Sequence, residues 1–212
     1  MFRPRVENLD VVSHNDKETT LELYSHANTS VLGNGALVVA DFNEPVNVKG
    51  YNPVLGTKNY QTITGAVGYC DPLTRNILYL VIHHAIYIPT LDHHLLCPIQ
   101  CCVVGVDING CPKFLTTLSQ ENFHFIIAKY EYEARTVLPL ALQVTTSVLN
   151  VLKITEEEWT RRYSPQIFLI NKYLHWEPNS SIFRDQEHAC NNIIGDPLPR
   201  PNGPGGQPLI IN

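Results

Sequence analysis

The chain has 212 residues, 44% of them hydrophobic, which is enough for one substantial core or two small ones and excludes a chain that is compositionally disordered as a whole. Fifteen Lys+Arg against twenty Asp+Glu give a net charge of -5 with no basic stripe, which argues against broad electrostatic capture of nucleic acid or an anionic membrane. No stretch reaches the ~18 apolar residues that span a bilayer, and Glu7 and Asp10 interrupt any apolar leader after Met1-Phe2-Arg3-Pro4-Arg5, so the expected location is intracellular and cytoplasmic.

Residues 1–14 read as an N-terminal arm. Residues 19–24 alternate in polarity, 36–42 form a short apolar run, and Val46-x-Val48 leads into a turn at Gly50-Tyr51-Asn52-Pro53; these patterns predict short strands of a compact barrel. Residues 77–88 are rich in β-branched and aromatic side chains and hold no Gly or Pro, which predicts a long strand, bent near His83-His84. The stretch Asp71-Pro72-Leu73-Thr74-Arg75-Asn76 supplies turn chemistry that pairs this strand with 62–70 as a hairpin, and Pro89 ends it. The i, i+3, i+4 apolar spacing over 95–102 predicts a short helix with Pro98 in its first turn. A strand over 103–108 follows, turning at Asn109-Gly110. A second β-rich block has apolar runs at 123–128, 136–144 and 147–154, with a hairpin around 131–135. Thr155 followed by Glu158 is a capping-box pattern, placing a helix over about 156–163. Beyond 167–170 the periodicity fades, and the Pro- and Gly-dense stretch 196–208 reads as a disordered tail or linker.

The most informative segment is Leu21-Glu22-Leu23-Tyr24-Ser25-His26-Ala27-Asn28-Thr29-Ser30-Val31-Leu32-Gly33. Tyr24-Ser25-His26-Ala27-Asn28-Thr29 resembles the Asp-Ser-Gly-Ala active-site loop of the retropepsin-like protease in Copia-type retrotransposon polyproteins, and more closely a variant reading Asp-Ser-His-Ala-Asp-Thr. A second segment, Ala85-Ile86-Tyr87-Ile88-Pro89-x-Leu91-x-x-x-Leu95-Leu96, is similar to that family's Val-Leu-Tyr-Val-Pro-x-Leu strand and its following Asn-Leu-Leu-Ser, with His94 for the Asn and Cys97 for the Ser. A third, Trp176-Glu177-Pro178-Asn179-Ser180-Ser181-x-Phe183-x-x-Gln186-Glu187, looks like a stretch downstream of the protease in relatives. The order and spacing of the first two carry more weight than either alone, because short motifs recur by chance.

In active members of that family two aspartates share one proton across a water, one acting as general base and the other donating to the scissile carbonyl. Tyr24 stands at the position of that aspartate. A phenol, with a reference pKa of about 10, keeps its proton at neutral pH and cannot take the base role. Asn28 replaces a second acid, keeping hydrogen-bonding capacity without charge. The resemblance therefore implies that Tyr24, Ser25, His26 and Ala27 occupy the former catalytic loop and that Asn28 and Thr29 face substrate, with Ser25 and Thr29 bracing the loop by hydroxyl-to-backbone bonds.

Rival constellations are sparse. His83, His84, His93 and His94 with Cys97 and Cys101 contain the only cluster of metal-ligand types, and a site from His84, His94 and Cys97 has no recognised zinc spacing. Cys97 with a nearby histidine would make a nucleophilic pair, on composition alone. The six cysteines, at 70, 97, 101, 102, 111 and 190, lack C-x-x-C pairing and read as reduced, partly buried thiols. Asp71 and Asp92 serve turns, and Asp41 and Asp107 end strands. Glu156-Glu157-Glu158 suits a solvated first helical turn, Trp159 and Trp176 read as core or interface anchors, and Gly65-Ala66-Val67-Gly68 lacks the Lys and the helix of a phosphate loop.

The sequence thus predicts a mainly β fold with a retropepsin-like half-barrel at 15–118, a β-rich extension at 119–190, one or two short helices and a tail at 191–212. The resemblance implies a catalytically degenerate protease-like domain, with a polypeptide ligand, a homodimer placing Tyr24 near its axis, and no cofactor or metal. A still-active aspartic endopeptidase, a binding module and a metal-binding protein are the other readings. An extension covering the surface of a missing protomer is the alternative to the homodimer.

Overall fold

Strand-forming sequence dominates the architecture of the computed structural model, which describes residues 18–24, 28–49, 56–109, 125–129, 135–161, 164–173 and 176. The chain divides into the units Met1–Leu174 and His175–Asn212, and every described residue except Trp176 lies in the first. The arm at 1–14, Ser25, His26 and Ala27, the turn at 50–53, Gly110, residues 131–134, the predicted end of the second helix at 162–163 and the tail lie outside the described residues.

In chain order the strands are β1 (Glu18–Leu23), β2 (Val31–Leu32), β3 (Leu37–Lys49), β4 (Thr57–Cys70), β5 (Ile77–Tyr87) and β6 (His94–Leu96). Helix α1 (Pro98–Val103) and β7 (Asp107–Asn109) follow, then β8 (Phe125–Lys129), β9 (Arg135–Pro139), β10 (Ala141–Gln143), β11 (Thr146–Leu152), α2 (Glu156–Arg161) and β12 (Gln166–Ile170). The chain is mainly β with two short helices. One mixed nine-stranded sheet runs β10-β11-β1-β6-β2-β5-β4-β3, with β12 parallel to β5 and an extra β11–β4 pairing at Leu152 and Gly68; β7, β8 and β9 form a separate antiparallel sheet. Strands from the predicted extension, β10 to β12, therefore share a sheet with those of the predicted half-barrel.

The core lies where these strands converge. Leu21, Leu32, Leu80, Leu96, Leu149 and Ile167, from six different strands of that sheet, are buried in one cluster, each contributing about 1.5–3 kcal/mol of apolar burial. The β4–β5 hairpin forms around the predicted turn, in which the Asp71 carboxylate accepts the N–H groups of Leu73 and Thr74 and the Thr74 hydroxyl. Those bonds, the Leu73 one foremost, hold Asp71 below the usual carboxylate range. The bend at the histidines is a bulge: the register against β4 shifts between Ile63 and Gly65, so that His83 and His84 lie opposite Thr64, and His84 has φ 53°.

Local signals and structure part company at three places. The predicted helix over 95–102 begins later, at Pro98, because His94–Leu96 pairs with both β1 and β2 and these ladders take up its backbone groups. The predicted strand over 103–108 is mostly the end of α1: Gly105, at φ 82°, allows a left-handed cap in which Val106 N–H donates to Cys101 C=O and Gly105 N–H to Cys102 C=O. The runs predicted at 36–42 and 46–48 join in one strand, β3, which accommodates Pro45 because it is an edge strand, with register shifts between Val38 and Ala40 and between Asp41 and Pro45. The capping box at α2 does form. Thr155 N–H donates to Glu158 Oε2 (2.7 Å) and Glu158 N–H to Thr155 Oγ1 (3.2 Å).

Candidate functional site

The 24–30 loop owes its position to strand order. β6 lies between β1, which it parallels (Leu21 to His94, Leu23 to Leu96), and β2, which it opposes (Val31 to Leu95). A connection from β1 to β2 must therefore cross the end of β6, where α1 begins. Its first residue is tied there by Tyr24 N–H donating to Leu96 C=O (3.1 Å).

Ser30, buried completely, is the other foot of the loop. Its N–H donates to Gln100 Oε1 (2.7 Å), its hydroxyl oxygen accepts Cys97 N–H (2.9 Å), and its carbonyl accepts Ile86 N–H (2.9 Å). Cys97 is the N-cap of α1, so one serine joins the loop, the helix start and β5. Each such bond contributes about 0.5–1.5 kcal/mol, and more is lost if a buried partner is left unmade. Past Ser30, β2 pairs in parallel with β5, Val31 to Ile86 and Leu32 to Tyr87. Then Gly33 N–H donates to His94 Nδ1 (3.0 Å).

That last bond fixes the chemistry of His94. Nδ1 accepts, so the neutral ring carries its proton on Nε2. Burial, with smaller contributions from His93 and Lys153, lowers the imidazole pKa to about 4, so the ring stays neutral at neutral pH. Gly33 is required by packing: a Cβ there would lie 2.3 Å from Leu91 O and 2.4 Å from His93 O, both backbone atoms that a rotamer change cannot move. The anchored base contrasts with the outer part of the loop, where Tyr24 is 45% exposed, Asn28 exposed and Thr29 half-buried.

The predicted loop residues are thus partly placed. Tyr24, Asn28 and Thr29 lie on one loop over the β6–α1 junction; Ser25, His26 and Ala27 lie outside the described residues. Sequence reasoning missed Ser30, His94 as a brace, and Gln100. Their partners are 61 to 70 positions away, and no local pattern marks them.

The rival sites gain no chemistry. Among the described residues no group of three or more His, Cys, Asp or Glu side chains is placed to hold a metal. His94 Nδ1 is occupied by Gly33, and the His84 ring stacks on Phe42 at 4.8 Å. Burial pushes the Cys97 thiol up and the Cys101 thiol well up, the reverse of what a nucleophilic thiolate needs. Among the described residues, Cys70, Cys97, Cys101 and Cys102 form no disulfide. Asp41 accepts Asn43 N–H on β3, and Asp92 pairs with His93 at 2.8 Å. Gly65–Gly68 is the middle of β4, where a Cβ on Gly65 would lie 2.3 Å from Leu32 Cδ1. No described helix is long and apolar enough to cross a membrane. Compared with protein-family models, curated proteins and solved structures, the chain matches none of them.

Proposed function

We propose that this chain is a retropepsin-like domain of Copia-type retrotransposon descent, which holds a polypeptide ligand as a homodimer and has lost peptide-bond hydrolysis at Tyr24. One observation carries the reading. The two sequence segments that resemble the family, 24–29 and 85–96, are far apart in the chain yet meet: β2 pairs with β5, β1 pairs with β6, and Tyr24 N–H bonds Leu96 C=O. Chance motifs have no reason to converge on one junction.

The chemistry follows from position 24. Hydrolysis in the family needs two carboxyls sharing a proton, one to deprotonate water and one to protonate the carbonyl oxygen. A phenol supplies neither the base nor the geometry that holds the water. What the loop retains is a rigid base, through Ser30, Gln100 and His94, and an exposed outer part with Tyr24 and Asn28. Such a surface supports binding without cleavage.

Restoring the acid tests this. Tyr24→Asp, with Asn28→Asp added, is expected to gain pepstatin-sensitive cleavage of an unfolded polypeptide, while the parent chain shows none. Cleavage by the parent would overturn the loss of activity. A double variant that is folded and dimeric but inert would overturn the role assigned to position 24, and a monomer at micromolar concentration would overturn the dimer.

A further inference from the structure

A concave site lies away from the 24–30 loop, on other elements. Between α2, β12 and the middle of β5 is a cleft of ≈ 450 Å³, within the roughly 300–1,000 Å³ typical of small-molecule sites. Three aromatic side chains, Trp159, Phe168 and Tyr173, contribute to its walls, and His83 and Lys172 supply polar groups.

These walls are held in place before any ligand arrives. Trp159 rests on Tyr79 with ring centroids 5.5 Å apart, and Tyr79 in turn donates its hydroxyl to Glu158 C=O (2.9 Å), fastening α2 to β5. The His83 ring lies parallel to Phe168, 5.7 Å between centroids and 4° between planes, and its Nδ1 is 2.6 Å from the Thr64 hydroxyl. Tyr173 N–H donates to Asn171 Oδ1, shaping the turn that presents Lys172, whose ammonium lies 5.1 Å from the Tyr173 ring centroid. Preformed walls spare a ligand the cost of ordering them.

The polar groups select for charge. Lys172 is the only charged side chain lining the cleft among the described residues. His83 is 8% exposed, and its Nε2 is buried without a hydrogen-bond partner among the described residues. When the Thr64 hydroxyl donates to Nδ1, Nε2 carries the proton and becomes an unsatisfied donor, a costly state that an acceptor relieves. Burial keeps this imidazole neutral at neutral pH, its pKa lowered to about 4, so with Thr64 donating the ring offers an Nε2–H without a full charge, and Lys172 supplies the cation.

We propose that this cleft binds a small, flat, apolar molecule carrying one carboxylate or sulfonate, the flat body against Trp159 and Phe168 and the anionic group toward Lys172 and the His83 N–H. The site is separate from the 24–30 loop and does not depend on the reading given to that loop. Flat rings gain from offset stacking on aromatic walls, and an anionic group gains from a nearby cation.

The test uses 8-anilinonaphthalene-1-sulfonate as the probe and N-phenyl-1-naphthylamine as its neutral counterpart, on the full chain carrying Trp176→Phe so that Trp159 is the sole indole. The sulfonate is expected to bind saturably, quenching Trp159 with sensitised probe emission. The neutral amine should bind about fivefold more weakly, and Lys172→Glu should weaken the sulfonate about tenfold, with Lys172→Gln between. Lys172 is exposed, so these variants leave the core intact. Absence of saturable quenching, equal affinity for the neutral amine, or sulfonate binding to Lys172→Glu within about twofold of the parent would each overturn the proposal.

Discussion

The molecule contains two adjacent histidine pairs built on one plan but wired differently. In each pair one ring is buried and one less so: His83 and His94 are 8% and 0% exposed, while His84 stacks on Phe42 and His93 pairs with Asp92. Burial lowers both inner rings to about 4, and each uses Nδ1 and leaves Nε2 without a partner among the described residues. The difference is the partner. His94 accepts from the Gly33 backbone N–H, which can only donate, whereas His83 faces the Thr64 hydroxyl, which donates or accepts by rotating. Protonating Nδ1 of His94 therefore destroys its bond and sets two donors against each other. Protonating His83 merely reverses its bond. Equal burial thus gives unequal tolerance of charge, and the rigid partner stands at the loop while the adaptable one stands at the cleft.

The comparison can be broken most severely through the donor. Gly33→Ala would drive a Cβ into two backbone carbonyls and is expected to cost more than about 3 kcal/mol, read as the midpoint of urea unfolding; a cost near zero would mean that the strands move apart freely. Next, His94→Leu leaves the Gly33 N–H unsatisfied and should cost about 2–3 kcal/mol, against about 1 kcal/mol for His83→Leu, whose hydroxyl partner can turn to another acceptor. Equal losses would erase the distinction between the two rings.

Acid sharpens the same contrast. Both folded pKa values lie below the unfolded reference of 6.5, so on acidification the unfolded chain takes up protons first. The stability is fully present above about pH 6.5, falls as pH drops through the window, and levels off below about pH 4. Each buried histidine contributes a slope of about 1.4 kcal/mol per pH unit there. His94→Leu should remove one such share, seen as a shallower dependence of chemical-denaturation stability between pH 6.5 and 4; an unchanged slope would show that His94 does not titrate in this range. The smallest change is Thr64→Val, which leaves the buried His83 Nδ1 without its hydroxyl partner and should cost about 1 kcal/mol by thermal unfolding.

Much of the fold was legible where a pattern is local. The β4–β5 hairpin is readable because Asp71 and Thr74 carry their own turn chemistry, and α2 because Thr155 and Glu158 cap it within four residues. The start of α1 falls later than its local signal because the apolar run in helical spacing, 95–102, opens with two residues, Leu95 and Leu96, that neighbouring strands claim. Its end reaches into the predicted strand because Gly105 takes a left-handed cap closed by the N–H groups of Val106 and Gly105, which no local alternation marks. The candidate site divides in the same way. Tyr24 is marked by its identity within the 21–33 segment, but Ser30, Gln100 and His94 are ordinary residues whose roles arise from partners brought from other parts of the chain.

The sequence by itself determined the mainly β composition of the chain, the hairpin, the helix cap and the absence of an acid at position 24, all of which depend on short-range alternation, capping and residue identity. Only the tertiary structure decided that β6 lies between β1 and β2, that β11 and β12 join the sheet of the earlier strands, and that one histidine of each pair is buried against a particular partner. The reason is physical. Local preferences act over a few residues and are written into adjacent side chains, whereas strand order and burial are set by which apolar faces can be covered together, a property of the whole chain.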